Sequence, residues 1–154
     1  MDIKQLSKFL VKAKINTYSF SGEDSEKILS DGGKEFNFKE KEFRYQDRYF
    51  GFSPFIGEEI VFRAGEFIWG MNYYGKIFSQ IVPPEKIYQF LREALKNIPE
   101  DKPFRGPDRI ERGNLKYFNK AKGSIEKFEG EETIFYKRKL IYKLVYHGGI
   151  VMEK

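Results

Sequence analysis

Two stretches of the sequence, Phe55–Ile77 and Phe128–Ile150, superimpose without a gap at a constant offset of 73 residues. Nine of the 23 aligned positions are identical: Phe55/Phe128, Gly57/Gly130, Glu58/Glu131, Glu59/Glu132, Phe62/Phe135, Ile68/Ile141, Tyr73/Tyr146, Gly75/Gly148 and Ile77/Ile150. Unrelated segments of ordinary composition share about one or two. Trp69/Tyr142 and Met71/Leu144 match in kind, and Tyr45-Gln46-Asp47 with Gly51 aligns on Tyr117-Phe118-Asn119 with Gly123 after a one-residue shift. Such self-similarity is read before anything else, because each copy is one supersecondary unit that needs the other to bury its apolar face.

The unit is a helix followed by strands. Ile3, Leu6, Phe9, Leu10 and Ala13 form an apolar stripe at helical spacing, predicting a first helix over about 3–14, with Asp2 and Gln5 placed like a capping box. Ile87, Phe90, Leu91, Ala94, Leu95 and Ile98 repeat the pattern and predict a second helix over 84–98, opened by Pro84 and ended by Pro99. Phe9-Leu10 mirrors Phe90-Leu91. Alternation predicts strands over 42–50, 55–63 and 67–74, then 115–119, 125–128, 133–136 and 140–147. Segments 21–34 and 100–113 read as irregular loops from their Gly and Pro content. The expected fold is α+β: one domain over 1–154 with an internal pseudo-repeat, about 1–77 and 84–151. The duplicated unit would form a curved antiparallel sheet with both helices packed on one face. Because strands such as 140–147 carry apolar residues on both sides, the other face is expected to be covered, ligand-lined or a homodimer surface.

Composition removes several classes of chemistry. The chain has no Cys and one His, so neither a thiolate site nor a multi-histidine metal site within one chain can form. No metal is expected, and no cofactor is indicated. No apolar run approaches the ~18 residues of a membrane-spanning helix, and the first 14 residues lack the make-up of a signal peptide, so a cytoplasmic protein with no membrane partner is expected. The net charge of +5 falls in the second half: residues 1–77 hold 12 basic and 12 acidic side chains, residues 78–154 hold 16 and 11. A solvated lysine-rich surface accounts for that excess, so nucleic acid is not expected as a partner. There is no Gly-x-Ser-x-Gly elbow, dinucleotide fingerprint or Walker loop.

The polar residues that stand out are few. Strand geometry sends Glu58 and Glu59 to opposite faces, and likewise Glu131 and Glu132, so one of each pair points inward. Two such carboxylates brought together across a pseudo-dyad would serve acid–base work or hold a hard cation. Alternatively, each accepts backbone or tyrosine hydrogen bonds. His147 precedes Gly148-Gly149 and takes the place of Tyr74 in the repeat, which favours a packing role over catalysis. Arg105, in Phe104-Arg105-Gly106-Pro107, would fork onto a ligand anion or clamp one of the glutamates. Trp69, Tyr73 and Tyr74, with Tyr45 and Tyr49, are candidates to stack on a flat ligand, although strand aromatics usually fill cores.

Several stretches together carry a family resemblance: Asn16-Thr17-Tyr18, Asp47-Arg48-Tyr49-Phe50-Gly51, Phe55-Ile56-Gly57-Glu58-Glu59, Ile68 to Gly75, Phe104-Arg105-Gly106-Pro107 and Tyr146-His147-Gly148-Gly149-Ile150. From about residue 6 to 151 the chain resembles an uncharacterised bacterial and archaeal domain. That domain occurs alone or behind an XRE-type helix-turn-helix in proteins regarded as transcriptional regulators. The resemblance implies a regulatory, sensor-like module that binds a small molecule, and no established activity. No helix-turn-helix pattern is present here, so DNA binding is not carried over. The alternatives are an enzyme built on Glu58 or Glu59, Glu131 or Glu132, His147 and Arg105, which requires at least three of these in one cleft, and a nucleic-acid-binding sheet.

Overall fold

The computed structural model describes residues 2–19 and 26–152. Helix α1 spans Ile3–Lys14. Asp2 caps it, its carboxylate accepting from the backbone of Lys4 at 2.9 Å and Gln5 at 3.4 Å, which satisfies two of the orphan N–H groups. Leu6, Phe9, Leu10 and Ala13 are buried, as is Lys14, one turn beyond Leu10 on the same side. A π-helical turn, Ile15–Ser19, continues α1, with Thr17 off helical geometry (φ −111°, ψ −106°). The Thr17 and Ser19 hydroxyls take up the loosened carbonyls of Ala13 and Lys14.

Among the described residues nine strands follow in one antiparallel sheet: β1 (Lys27–Ile28), β2 (Lys34–Glu40), β3 (Phe43–Gly51), β4 (Phe55–Arg63), β5 (Glu66–Ile77), β6 (Arg109–Arg112), β7 (Leu115–Ser124), β8 (Lys127–Tyr136) and β9 (Lys139–Ile150). Their order across the sheet is β1-β2-β3-β4-β5-β9-β8-β7-β6. The fold is therefore α+β, with a long central pair, β5 against β9. Helix α2, Pro84–Leu95, connects β5 to β6. It ends three residues short of the periodicity-based prediction, because Asn97 turns back onto Ala94 and its side chain donates to the Glu93 carbonyl. Ile98 stays buried beyond the helix end.

The register assigns the faces. Tyr45 lies opposite Val61 and Val61 opposite Trp69; Tyr73 lies opposite Tyr146. These residues, with Phe43, Met71, Tyr117, Tyr142 and Leu144, form the buried face. Phe9 of α1 stacks on Phe43, and Tyr88 of α2 meets Tyr142 edge-on, so both helices lie against that face. Each large apolar side chain buried there contributes about 1.5–3 kcal/mol. Residues of alternate parity look outward, and Ile56, Tyr74 and Val145, directly opposite one another, are exposed.

Some strand predictions need correction. Segments 125–128 and 133–136 belong to one strand, β8, with Gly130 at its middle and Ile125 in the preceding turn. The supposed loop 100–113 contains β6. Of the supposed loop 21–34, residues 21–25 lie outside the described residues. The remainder includes β1 and a turn in which Gly32 takes φ +85°.

Candidate functional site

Polar side chains on the buried face must find partners or stay protonated. Glu59 and Glu132 both point inward, while Glu58 is exposed and Glu131 half-buried on the opposite face. Each buried glutamate holds its own cation. Lys14 Nζ lies 2.5 Å from Glu59 Oε2 and donates to the Phe104 carbonyl at 2.6 Å. Burial lowers the Lys14 pKa, against the raising pull of Glu59.

Arg105 forks onto Glu132, its Nε donating to Oε2 at 3.1 Å and its Nη2 to Oε1 at 2.7 Å. Tyr117 donates to Glu132 Oε2 at 2.7 Å and Tyr142 to Oε1 at 2.9 Å. Glu132 therefore accepts four hydrogen bonds, the full capacity of a carboxylate. Burial, and next the Glu132 charge, raise both tyrosines well above their ordinary pKa, so they remain donors. The two glutamates are not brought together: β4 and β8 stand three strand spacings apart, roughly 14 Å.

Two tyrosines reach across a neighbouring strand. Tyr73 on β5 passes over Gly57 on β4 to donate to Asp47 Oδ1 on β3 at 2.6 Å. Tyr146 on β9 passes over Gly130 on β8 to donate to Asn119 Oδ1 on β7 at 2.8 Å. A Cβ on either glycine would collide with the phenol, and would lie 2.7 Å from the backbone oxygen of Arg48 or Lys120. The glycines are the slots that let the phenols cross.

The two sides differ in what lies beyond. Asn119 is closed in: its Nδ2 donates to the Gly106 carbonyl at 2.8 Å, and Gly106 N–H donates to the Tyr117 hydroxyl at 3.0 Å. Phe104 of the same segment stacks on Phe128 at 3.9 Å. Asp47 instead opens onto a cavity of about 70 Å³ between the sheet and the helices. Phe36, Tyr49 and Phe55 from the sheet wall it, and Tyr88, Leu91 and Arg92 from α2 lie opposite. Tyr18, Phe52 and Arg105 complete the aromatic and basic lining, with Lys34 and Glu26 at one side.

Phe36 stacks on Tyr49 and meets Tyr18 edge-on; Phe52 and Phe55 meet Tyr88 edge-on. Lys34 and Glu26 pair at 3.6 Å. Arg92 lies over the Tyr18 ring at 6.0 Å and has no carboxylate partner among the described residues. Tyr73 is the only side-chain donor to Asp47 among them. Burial, and next the Glu59 carboxylate directly opposite on β4, push the Asp47 carboxyl up to about 7. The Tyr73 hydrogen bond and the Arg105 and Lys14 charges oppose the rise.

The residues singled out from the sequence divide between two faces. Glu59, Trp69, Tyr73, Arg105 and Glu132 belong to the buried face, where Trp69 Nε1 donates to the Ile125 carbonyl at 3.1 Å. Of these, only Arg105 lines the cavity. Glu58, Tyr74, Glu131 and His147 belong to the outer face. There Glu58, Asn72, His147 and Glu129 follow one another across four strands, beside an open groove of about 1110 Å³ floored by Gly70, Gly148 and Gly149. His147 and Arg105 thus do not share a cleft.

Sequence reasoning missed Asp47, Tyr18, Arg92 and Lys14 as site residues. Lys14 had a signal, a charged residue continuing the Leu6–Leu10 row. Asp47 had another, a polar position that repeats as Asn119. Among the described residues no three His, Cys, Asp or Glu side chains gather as a metal site, and no helix is long and apolar enough to cross a membrane.

Residues 47–151, 105 of the 154, match the family described as "Domain of unknown function (DUF5680)". The chain belongs to that family. No curated protein and no solved structure matches it.

Proposed function

We propose that this chain is a small-molecule-binding, sensor-like module whose ligand sits in the cavity between Asp47, α2 and Tyr18. One observation carries the reading. In a buried face where Glu59, Glu132 and Asn119 are each held by partners of opposite charge or polarity, Asp47 receives one tyrosine hydrogen bond and faces an aromatic-walled space. An apolar pocket with a few convergent polar groups is the usual form of a ligand site. The space would hold about two waters by its volume, or a molecule of a few heavy atoms in their place.

We read the chain as a duplicated unit, the sensing copy being the first. The reading is supported by the mirrored strand order and by β-bulges at Val61/Phe62 and Ile134/Phe135, 73 residues apart. The Tyr-over-Gly crossings add to it, and so do Gly51 and Gly123, at φ +87° and +93°.

Native mass spectrometry of gently purified protein, compared with its denatured mass, tests the function. Retained mass that is lost in a cavity-filling Leu91→Phe variant supports the reading. Binding that survives the filling refutes the assignment to this cavity. A bare mass, with no amide shift at cavity residues across a screen of fragments of a few heavy atoms, refutes ligand binding there.

A further inference from the structure

The outer face of the sheet carries a row of polar side chains with few partners of their own. Strand register sets Arg48, Glu58, Asn72, His147 and Glu129 side by side across β3, β4, β5, β9 and β8. Among the described residues Glu58, Asn72, His147 and Glu129 make no ion pair and no side-chain hydrogen bond. About Asn72 the row is opposite in character: the acid Glu58 is matched by the base His147, and the cation Arg48 by the anion Glu129. One strand further out on each side stand Glu35 and Lys122, again opposite in sign. The rows to either side are apolar or bare. Ile56, Tyr74 and Val145, all exposed, form one; in the other Ile60 stands beside Gly70 and Gly149, over the groove of about 1110 Å³.

We infer that this face pairs with the same face of a second copy of the chain, about a twofold axis running along β5. Such an axis reverses the order of the strands and keeps the rows, so each residue meets the one equally far on the other side of β5. Glu58 then meets the second copy's His147, Arg48 meets its Glu129, and Asn72 meets its Asn72, amide to amide; the charged contacts each occur twice. In the apolar row Ile56 meets the second copy's Val145, and Tyr74 meets Tyr74. In the other row Ile60 enters the groove over the second copy's Gly149. An axis midway between β5 and β9 would instead set Glu58 against Glu129 and Arg48 against Lys122, like on like, so the charges select one register. Sheets packed face to face lie about 10 Å apart, within reach of these side chains. Five strands by three rows cover about 24 Å by 20 Å, roughly 1,000 Å² from both copies together, the size of a weak and reversible interface.

Sedimentation velocity of the full chain, from low micromolar to high micromolar concentration, tests the pairing. The expected result is a reversible monomer–dimer equilibrium with a Kd on the order of 10–100 µM. Glu58→Lys and His147→Glu change exposed side chains that have no ion pair within the chain, and each should weaken dimerisation about tenfold or more, because the altered contact occurs twice. Mixed in equal amounts, the two variants should recover the dimer: the introduced lysine meets the introduced glutamate, and the unaltered Glu58 of one chain meets the unaltered His147 of the other. A monomer at every concentration, or a dimer that both variants leave as tight as the parent's, overturns the pairing. So does a mixture that stays monomeric while each variant melts as the parent does. Should either variant fail to fold, Ile56→Gln, exposed and outside the charged row, supplies the disruption, and a dimer that it leaves unchanged overturns the assignment to this face.

Discussion

Replacing Asp47 with Asn should stabilise the protein, and only where Asp47 would otherwise be charged. The ordinary aspartate pKa of 3.8 rises to about 7 in the folded chain, through burial first and the facing Glu59 second. A group whose folded pKa is raised binds its proton more tightly in the folded state. It therefore costs nothing below the unfolded pKa, and its cost grows as pH climbs to the folded one. Between pH 4 and pH 8 the accumulated cost is about 4 kcal/mol, at about 1.4 kcal/mol per factor of ten in proton affinity. Asparagine keeps the acceptor that Tyr73 uses, and Asn119 already serves Tyr146 in that way at 2.8 Å. The new amide N–H has no partner in the cavity, which takes back about 1–2 kcal/mol. Urea denaturation of parent and Asp47→Asn should then show a gain of about 2–3 kcal/mol at pH 8, shrinking through pH 6 and vanishing or reversing at pH 4. A gain of equal size at pH 4 and pH 8 would refute the electrostatic argument, because an effect on packing does not follow the titration. A loss at pH 8 would show that Asp47 is ionised and held by more than Tyr73.

Four other substitutions probe the same framework. Gly57→Ala and Gly130→Ala each place a Cβ where a tyrosine crosses, and each should cost about 1–3 kcal/mol in urea denaturation. Adding Tyr73→Phe to the first should recover little, since the ring and the Arg48 carbonyl remain in the way. Arg105→Met leaves the Glu132 carboxylate buried with only tyrosine donors and should cost about 3–5 kcal/mol; an Arg105→Met, Glu132→Met double variant should be markedly less destabilised than the single one, read from the same transitions. His147→Ala, on the exposed outer face, should leave stability within about 0.5 kcal/mol and leave fragment binding at the cavity unchanged.

The long strands were legible because their inner and outer residues alternate, as in Trp69, Met71 and Tyr73 against Asn72 and Tyr74. Both helices were legible from their stripes. Strand β6, Arg-Ile-Glu-Arg, carries almost no such signal: it is an edge strand, mostly exposed, formed by pairing with β7. Strand β2 did carry one, since Phe36 and Phe38 alternate with polar residues in Lys34–Glu40, but charged neighbours hid it. Strand β8 read as two pieces because Glu129 to Glu132 looks like a turn. Glu132 is nevertheless fully buried, and only the distant Arg105, Tyr117 and Tyr142 explain how. The cavity was not legible at all. It arises between segments remote in sequence, and Asp47, the acid that Tyr73 reaches, differs from its counterpart Asn119 only in an oxygen for a nitrogen.

That one-atom difference makes sense of the asymmetry between the two sides. A tyrosine passing over a glycine to reach an oxygen occurs on both, so the crossing alone does not make a pocket. Beside Asn119 the chain supplies its own occupant: the Phe104–Gly106 segment fills the space, stacking on Phe128 and accepting the amide N–H that only asparagine can offer. A carboxylate at that position would face the Gly106 carbonyl, acceptor against acceptor. Beside Asp47 no segment among the described residues makes the corresponding hydrogen bond, and an acid in place of the amide leaves an oxygen directed at cavity rather than backbone. Amide and closed space go together, as do acid and open space. The polar residue at the end of each tyrosine thus goes with what lies beyond it: packed core beside Asn119, a cavity beside Asp47.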